Sequence, residues 1–320
     1  MNQAGDAAQG PDGTRQASTP APGRAARPRR PRELQDGLNH YLYHPLAWRL
    51  ARLLARTPLT PNIVSVIGGC FVIAAGVAYS QPAWLGLAWP AAPLLGMALH
   101  MTWHVVDGAD GDLARLTGRS SPIGEMVDGL CDYCSHIVLY FTLGWLLATG
   151  FMPTNWQVSH PYWWMWAAGL SHIVQANHVE VQRRQYQWWV LGTPWIRNSH
   201  KADSATGQSV FGGIVSVYLA LASGMTPHAL KIDEALEQAA GDPARREAIR
   251  EAARAEALPL LNLLKVLGPN PRAIVLGLSM LAGSPIWYFV YQSVALNLLL
   301  VGSVVAHNRA AQRIAARLGI

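Results

Sequence analysis

Apolar runs long enough to approach a hydrocarbon core of ~30 Å recur along this chain, at about 62–79, 84–106, 122–148, 161–182 and again within 272–308. The last stretch is interrupted by Gly283-Ser284-Pro285, which divides it into 271–283 and 286–308. The pattern predicts an all-α fold, a polytopic membrane helix bundle of about six transmembrane helices. The fifth of them is short, roughly 20 Å by helical rise. Upstream, residues 34–56 alternate apolar positions with Arg49, Arg52 and Arg56, the pattern of an amphipathic helix lying on a membrane surface. Thr60-Pro61-Asn62 then turns the chain into the first span.

The polar interruptions divide the chain further. Residues 1–33, rich in Pro, Ala, Gly and Arg with no apolar core, read as a disordered basic tail and not as a cleaved signal peptide. Residues 34–58 form the juxtamembrane helix, and 59–194 with 269–310 the membrane bundle. Residues 195–268 form a cytoplasmic or interfacial helical insertion, and 311–320 a basic tail. Within the insertion, Asp242-Pro243 supplies an N-cap and a first helical residue for a charged helix over about 243–266, whose charges solvate one face. Segment 209–226 is apolar enough to cross, but crossing would carry Lys231 to Lys265 and the basic C-terminus to the other side. It is therefore expected to be an interfacial or protein-buried helix.

Composition alone, 51% hydrophobic with 14% charged and thirteen Trp, fits two soluble domains or one membrane bundle. The clustering of the apolar residues excludes the first. With six spans and a cytoplasmic N-terminus, the exterior loops near 80–83, 149–160 and 284 hold none of the 25 Lys and Arg. That is the positive-inside bias, and it places both termini in the cytoplasm of a cell bounded by an inner, cytoplasmic membrane. The net charge of +6 belongs beside the spans, where anionic lipid headgroups attract it, and no basic stripe with interleaved aromatics points to nucleic acid. Tyr162, Trp163, Trp164 and Trp166 read as an interfacial aromatic belt. Cys131 and Cys134 form a lone C-x-x-C inside an apolar run and are expected to be small buried residues.

Candidate chemistry concentrates in residues 107–132, DGADGDLARLTGRSSPIGEMVDGLCD. Asp107, Asp110, Gly111 and Ala114 fall within a wedge of about 100° on the second span. Gly124, Asp128 and Asp132 form one stripe at i, i+4, i+8 on the third. Between them, Ser121 is placed as N-cap and Pro122 at the first helical position, so the turn brings the two stripes face to face. Four carboxylates near a low-dielectric region need a cation. Oxygen-only ligation selects Mg²⁺ or Mn²⁺, and four carboxylates suit two ions about 3.5–4 Å apart, which clamp a phosphoryl group during in-line displacement. Gly and Ala let phosphate approach the backbone, and Arg115 adds a cation for its oxygens. Asp112 lies about 140° from Asp107 around the helix and is not expected to be a ligand; Glu125 also falls off its stripe.

Read as D-x-x-D-G-x-x-A-R-x8-G-x-x-x-D-x-x-x-D, this stretch resembles the signature of the CDP-alcohol phosphotransferase family at every specified position. The resemblance extends to the amphipathic helix, Thr60-Pro61-Asn62 and the six-span core. It implies an integral-membrane enzyme that transfers a phosphoryl-alcohol from a CDP-alcohol to a hydroxyl acceptor, one of the two a lipid, releasing CMP. It also implies a homodimer. Carried over by motif position, Asp107 and Asp128 bridge two metals, Asp110 completes one site, and Asp132 contacts the other metal and accepts the proton of the attacking hydroxyl. Gly111, Arg115 and Ser121 contact the CDP-alcohol, Asn62 lies near its pyrophosphate, and Ala114 and Gly124 provide space. Ser120 to Glu125 resemble the corresponding stretch of choline and ethanolamine phosphotransferases, although Gly129 stands where those enzymes have His.

On the fourth span His172, Gln175, His178 and Gln182 form a polar stripe that either lines the acceptor site or makes interhelical hydrogen bonds. His104 is expected to be structural. Two rival functions remain in the sequence, a divalent-cation transporter and an inactive scaffold relative. Transport predicts carboxylates at midplane depth on several helices, whereas these cluster at the ends of two.

Overall fold

A computed structural model describes residues 30–81, 83–150, 158–193 and 228–320; the apolar segment 209–226 lies outside them. Every regular element among the described residues is helical. They are α1 (His44–Leu54), α2 (Pro61–Tyr79), α3 (Ala91–Thr117), α4 (Pro122–Thr149), α5 (Pro161–Leu191), α6 (Ala229–Gln238), α7 (Pro243–Ala257), α8 (Leu261–Val266), α9 (Pro269–Leu281) and α10 (Ile286–Leu318).

The helix ends follow the local chemistry of the sequence. Thr60 caps α2 by accepting from the Ile63 N–H, with Pro61 in the first turn, and Asp242 caps α7 by accepting from Arg245 N at 3.0 Å. α3 stops at Gly118, whose φ of 65° is left-handed, and Arg119 N closes the turn on the Ala114 carbonyl at 2.9 Å. Three residues later Ser121 Oγ accepts from Gly124 N at 3.0 Å and starts α4. The hairpin between the carboxylate-bearing helices thus uses one left-handed glycine and one serine cap.

Among the described residues, three helices are long and apolar enough to cross a membrane: Pro61–Tyr79, Met126–Thr149 and Ile286–Leu318. α3 and α5 have the length but carry the polar stripes, and α9 is only 13 residues long. The outer faces argue the same way. On α4, Leu130, Tyr133, Ile137, Phe141 and Trp145 are exposed at helical spacing, opposite the Asp128 and Asp132 stripe. A chain that turns its apolar stripe outward and its carboxylates inward is built for lipid. Cys134 belongs to this outer side and is exposed, with Cys131 partly so, which corrects the expectation that the C-x-x-C is buried.

α2 is the spine of the carboxylate-bearing half. α3 and α4 each lean on α2 far more than on one another, so their stripes face across a cleft instead of packing directly. Close approach is set by small residues. A Cβ at Gly96 would lie 2.6 Å from the Tyr79 ring, and one at Gly277 would lie 2.5 Å from Met97. α1 is more than a surface float. Its Ala47, Trp48 and Ala51 pack on Ala109, Leu113 and Leu116 of α3, while Leu46 and Leu53 stay exposed.

At the carboxylate end a second core joins α5, α6, α7, α8 and α10 through Tyr186, Ile232, Ile249, Leu264 and Ile314. The charged helix α7 therefore has one face, Ile249, Ala252, Ala253 and Ala257, buried against the bundle. Residues 311–318, expected as a tail, continue α10, where Arg313 and Arg317 both pair with Glu256 of α7.

Candidate active site

Asp107 and Asp110 of α3 and Asp128 of α4 each present a ligand atom, and the three atoms lie within 4.8 Å of one another. The cluster sits at the end of α3 and the beginning of α4, as the two sequence stripes require. Asp110 is buried, and its Oδ2 accepts from Ser65 Oγ of α2 at 2.5 Å. Neither Asp107 nor Asp110 has a Lys or Arg within ion-pair distance among the described residues. Carboxylates gathered this closely, with only oxygen donors converging, have the chemistry that suits a hard divalent ion.

Asp132 stands one turn deeper on α4, outside that three-carboxylate group. Its carboxyl is within hydrogen-bonding reach of Asp107, and its Oδ1 accepts from the indole Nε1 of Trp103 at 3.0 Å. Trp103 is buried and boxed in by rings: His104 at 4.5 Å, His136 at 4.7 Å and His100 at 5.6 Å between centroids. His136, one turn beyond Asp132, contacts the Asp132 backbone carbonyl through Nδ1 at 2.8 Å. The bundle thus immobilises Asp132 from two helices.

Asp112 lies off the wedge and stays out of the cluster. It is 2% exposed and holds two guanidinium groups, Arg30 at 2.6 Å and Arg115 at 2.5 Å. Arg115 is thereby laid over Gly111, where a Cβ would come 3.5 Å from its Nη2. Across the cleft mouth, a Cβ on Gly124 would meet Ser121 Oγ at 3.3 Å and Asn62 Oδ1 at 3.6 Å. Asn62, Ser121 and Gly124 therefore converge where the first turns of α2 and α4 meet, and helix N-termini favour anions. Ala114, half-buried, occupies the last turn of α3 beside the hairpin.

The stripe on α5 divides. His172 Nδ1 contacts the Tyr140 hydroxyl at 3.1 Å, and its ring lies 6.0 Å from His136, on the Asp132 side. Gln175 is wholly buried and fully engaged. Its Nε2 donates to Gln292 O and Asn297 Oδ1, and its Oε1 accepts from Gln292 Nε2 and Arg272 Nη2. His178 contacts Ser303 Oγ at 2.9 Å. Gln175 and His178 thus join α5 to α9 and α10, using the π-helical segment Tyr291–Ala295, a local irregularity common at functional sites.

Sequence reading passed over Ser65, Trp103 and His136. Each had a faint signal: Ser65 lies one turn after Asn62, Trp103 one turn before Asp107, and His136 one turn after Asp132. Outside the spans, burial and then the Asp36 charge push the Tyr43 hydroxyl up to about 12, so it stays protonated beside the His104 ring.

A bundle whose described elements are all helical, with apolar faces turned outward and carboxylates gathered at one end of its long helices, defines an integral membrane protein with an acidic cluster of the kind that could hold a cation. The chain belongs to the CDP-alcohol phosphatidyltransferase family, whose model matches residues 58–226, just over half of it. It is 37% identical over 98 residues to the archaetidylinositol phosphate synthase of Aeropyrum pernix, covering 31% of this chain and 46% of that one. It is 27% identical over 170 residues to ethanolaminephosphotransferase 1 of Mus musculus, covering 49% and 39%. The protein of that name from Pongo abelii is 26% identical over the same length. The chain spans less than half the length of each of these relatives.

Proposed function

We propose that this protein is a divalent-metal-dependent phosphotransferase of phospholipid biosynthesis. It moves the phosphoryl-alcohol part of a CDP-alcohol onto a hydroxyl acceptor and releases CMP. The observation that carries the reading is the convergence of Asp107, Asp110 and Asp128, with Asp132 one turn deeper in the grip of Trp103.

In this reading Asp107, Asp110, Asp128 and Asp132 hold two Mg²⁺ or Mn²⁺ ions, which supply charge neutralisation for the pyrophosphate and the leaving CMP. Asp132 is the catalytic base. With Oδ1 engaged by Trp103, its other oxygen takes the proton of the attacking hydroxyl, a poor nucleophile near neutral pH. Gly111 and Gly124 leave room for the donor, Ala114 borders it, and Arg115, fixed by Asp112, is placed for its phosphate oxygens. Ser121 and Asn62 flank the pyrophosphate at the α2 and α4 N-termini. His172 lines the acceptor side, while Gln175 and His178 brace the helices behind it. The boxed aromatic and histidine rings around Asp132 keep water from competing for the donor.

The bundle crosses the membrane six times in this reading, with α3, α5 and α9 joining the three apolar helices. The distribution of Lys and Arg supports a cytoplasmic active site, cytoplasmic termini and residence in the cytoplasmic membrane. The enzyme works as a homodimer. The test is direct: purified protein with Mg²⁺ or Mn²⁺ releases CMP from at least one member of a panel of CDP-alcohols and acceptors. No release from any pairing refutes the assignment.

A further inference from the structure

A cavity of about 410 Å³ opens beside the carboxylate cluster, and much of its wall comes from outside the catalytic signature. Asp107, Gly108 and Arg115 of α3 form its inner side. The segment before α1, with His44 at the start of that helix, closes one flank from Arg30 to His44, and residues from Leu261 at the end of the insertion to Pro269 at the start of α9 close another. Arg183 and Gln187 of α5 complete it. The volume falls in the ~300–1,000 Å³ range of small-molecule sites.

The chemistry of this wall is lopsided. Four cations line it, Arg30, Arg115, Arg183 and Lys265, against two acids, Asp36 and Asp107; Arg30 and Arg115 share the Asp112 carboxylate, which leaves Arg183 and Lys265 as the cations to account for. Asp36 is already engaged, accepting from Asn39 Nδ2 at 2.9 Å and Asn270 Nδ2 at 2.7 Å. Asp107 belongs to the carboxylate cluster. Arg183 reaches Glu180 only at 3.6 Å, and Glu180 is held more tightly by Arg184 at 2.6 Å. Lys265 Nζ bonds the neutral Asn262 Oδ1 at 3.1 Å and has no acid within ion-pair distance among the described residues. A second feature points to a ligand: His104, more than nine-tenths buried, lines the cavity with its Nε2 unpartnered. Positive charge held around a partly open cavity next to the carboxylate cluster selects an anionic group.

We propose that Lys265 and Arg183 bind a phosphate-bearing part of a substrate in this cavity, so that the insertion takes part in substrate selection. The inference rests on the phosphotransferase reading and deepens it. Two sources share the chemistry: the nucleotide half of the donor, and a phosphate carried by the acceptor alcohol.

The experiment compares full-length wild type with Lys265→Gln, Arg183→Gln and the double variant, using Lys231→Gln on exposed α6 as a charge control. CMP release is measured with CDP-diacylglycerol and glycerol 3-phosphate or inositol 1-phosphate, and with CDP-ethanolamine and diacylglycerol. Binding of CDP and of glycerol 3-phosphate is followed separately by tryptophan fluorescence in detergent with Mn²⁺. The expected result is a rise of at least tenfold in one substrate's KM in the double variant, with kcat within about threefold and the control unchanged. A rise for the CDP-alcohol in both reactions assigns the cavity to the nucleotide, and a rise for the phosphorylated acceptor alone assigns it to the acceptor. Both KM values and both binding curves unchanged in the double variant overturn the inference, as does a wild type that binds neither probe. Binding that wild type shows and the double variant loses, without CMP release by either, upholds the site and refutes the reaction.

Discussion

The indole Nε1 of Trp103 on α3 donates to Oδ1 of Asp132 on α4 across the cleft, at 3.0 Å. This bond ties the deepest carboxylate of one helix to the other helix, although the two helices pack mainly on α2. It also leaves the second oxygen of Asp132 as the one that the proposed base would use. Trp103→Phe keeps the ring among His100, His104 and His136 but removes the donor. The expected outcome is a fall in kcat of about tenfold with the CDP-alcohol KM little changed, a fraction of the 10²–10⁴ typical for a general base. Asp132→Asn, which removes the proposed base itself, is expected to abolish turnover while the protein still expresses. Unchanged kcat in Trp103→Phe removes Trp103 from any positioning role.

Ser65 acts on the cluster from α2 by donating to Asp110 Oδ2. A hydroxyl that orients a ligating carboxylate is worth about 10–100-fold in metal affinity. Ser65→Ala is therefore expected to raise the Mn²⁺ concentration for half-maximal activity by that factor, with activity recovered at high metal. Titration of CMP release against Mn²⁺ reads this directly. A loss that excess metal does not rescue places Ser65 elsewhere in the reaction.

Metal removal should separate the acidic cluster from a merely hydrated helix end. Chelation with EDTA is expected to abolish CMP release, and either Mg²⁺ or Mn²⁺ to restore it. Full activity after exhaustive chelation would exclude the cation site.

Much of this site was legible because helical periodicity and turn chemistry are local. Spacing alone placed Asp107 and Asp110 on one face and Asp128 and Asp132 on another. It excluded Asp112, and Ser121 with Pro122 marked the start of α4. What periodicity does not carry is the identity of the neighbour across a helix face. Ser65 and Trp103 act through contacts 45 and 29 residues away in sequence, so no window of the chain displays them. The same limit hid the fate of the α5 stripe. Its spacing predicts a polar face, but only the packed partners decide that His172 looks toward Asp132 while Gln175 is consumed by α9 and α10.

Asp112 offers a test of fixed charge at the cleft mouth. It is buried, yet it anchors the partly exposed guanidinium groups of Arg30 and Arg115. Asp112→Asn should free both side chains and raise the CDP-alcohol KM about tenfold, while metal activation stays as in wild type. A change confined to the metal dependence would instead make Asp112 part of the cation site.

Gln175 and Arg272 form the least conventional pairing in the bundle. Arg272 is 4% exposed, and its Nη2 donates to the neutral Gln175 Oε1 at 3.2 Å. Gln175 simultaneously holds Gln292 and Asn297 of α10. Replacing it by Leu strands these groups and a buried charge, which costs about 3 kcal/mol. Gln175→Leu should therefore lower the thermal midpoint in detergent by several degrees. Removing the charge together with its partner is different, because a hydrophobic pair of similar volume is often neutral or better. The double variant Gln175→Leu/Arg272→Met is expected to recover part of the lost stability, giving a coupling of at least 1 kcal/mol in a double-mutant cycle. Strictly additive losses would mean that Arg272 draws its stabilisation from neighbours other than Gln175 and that Gln175 serves α10 alone.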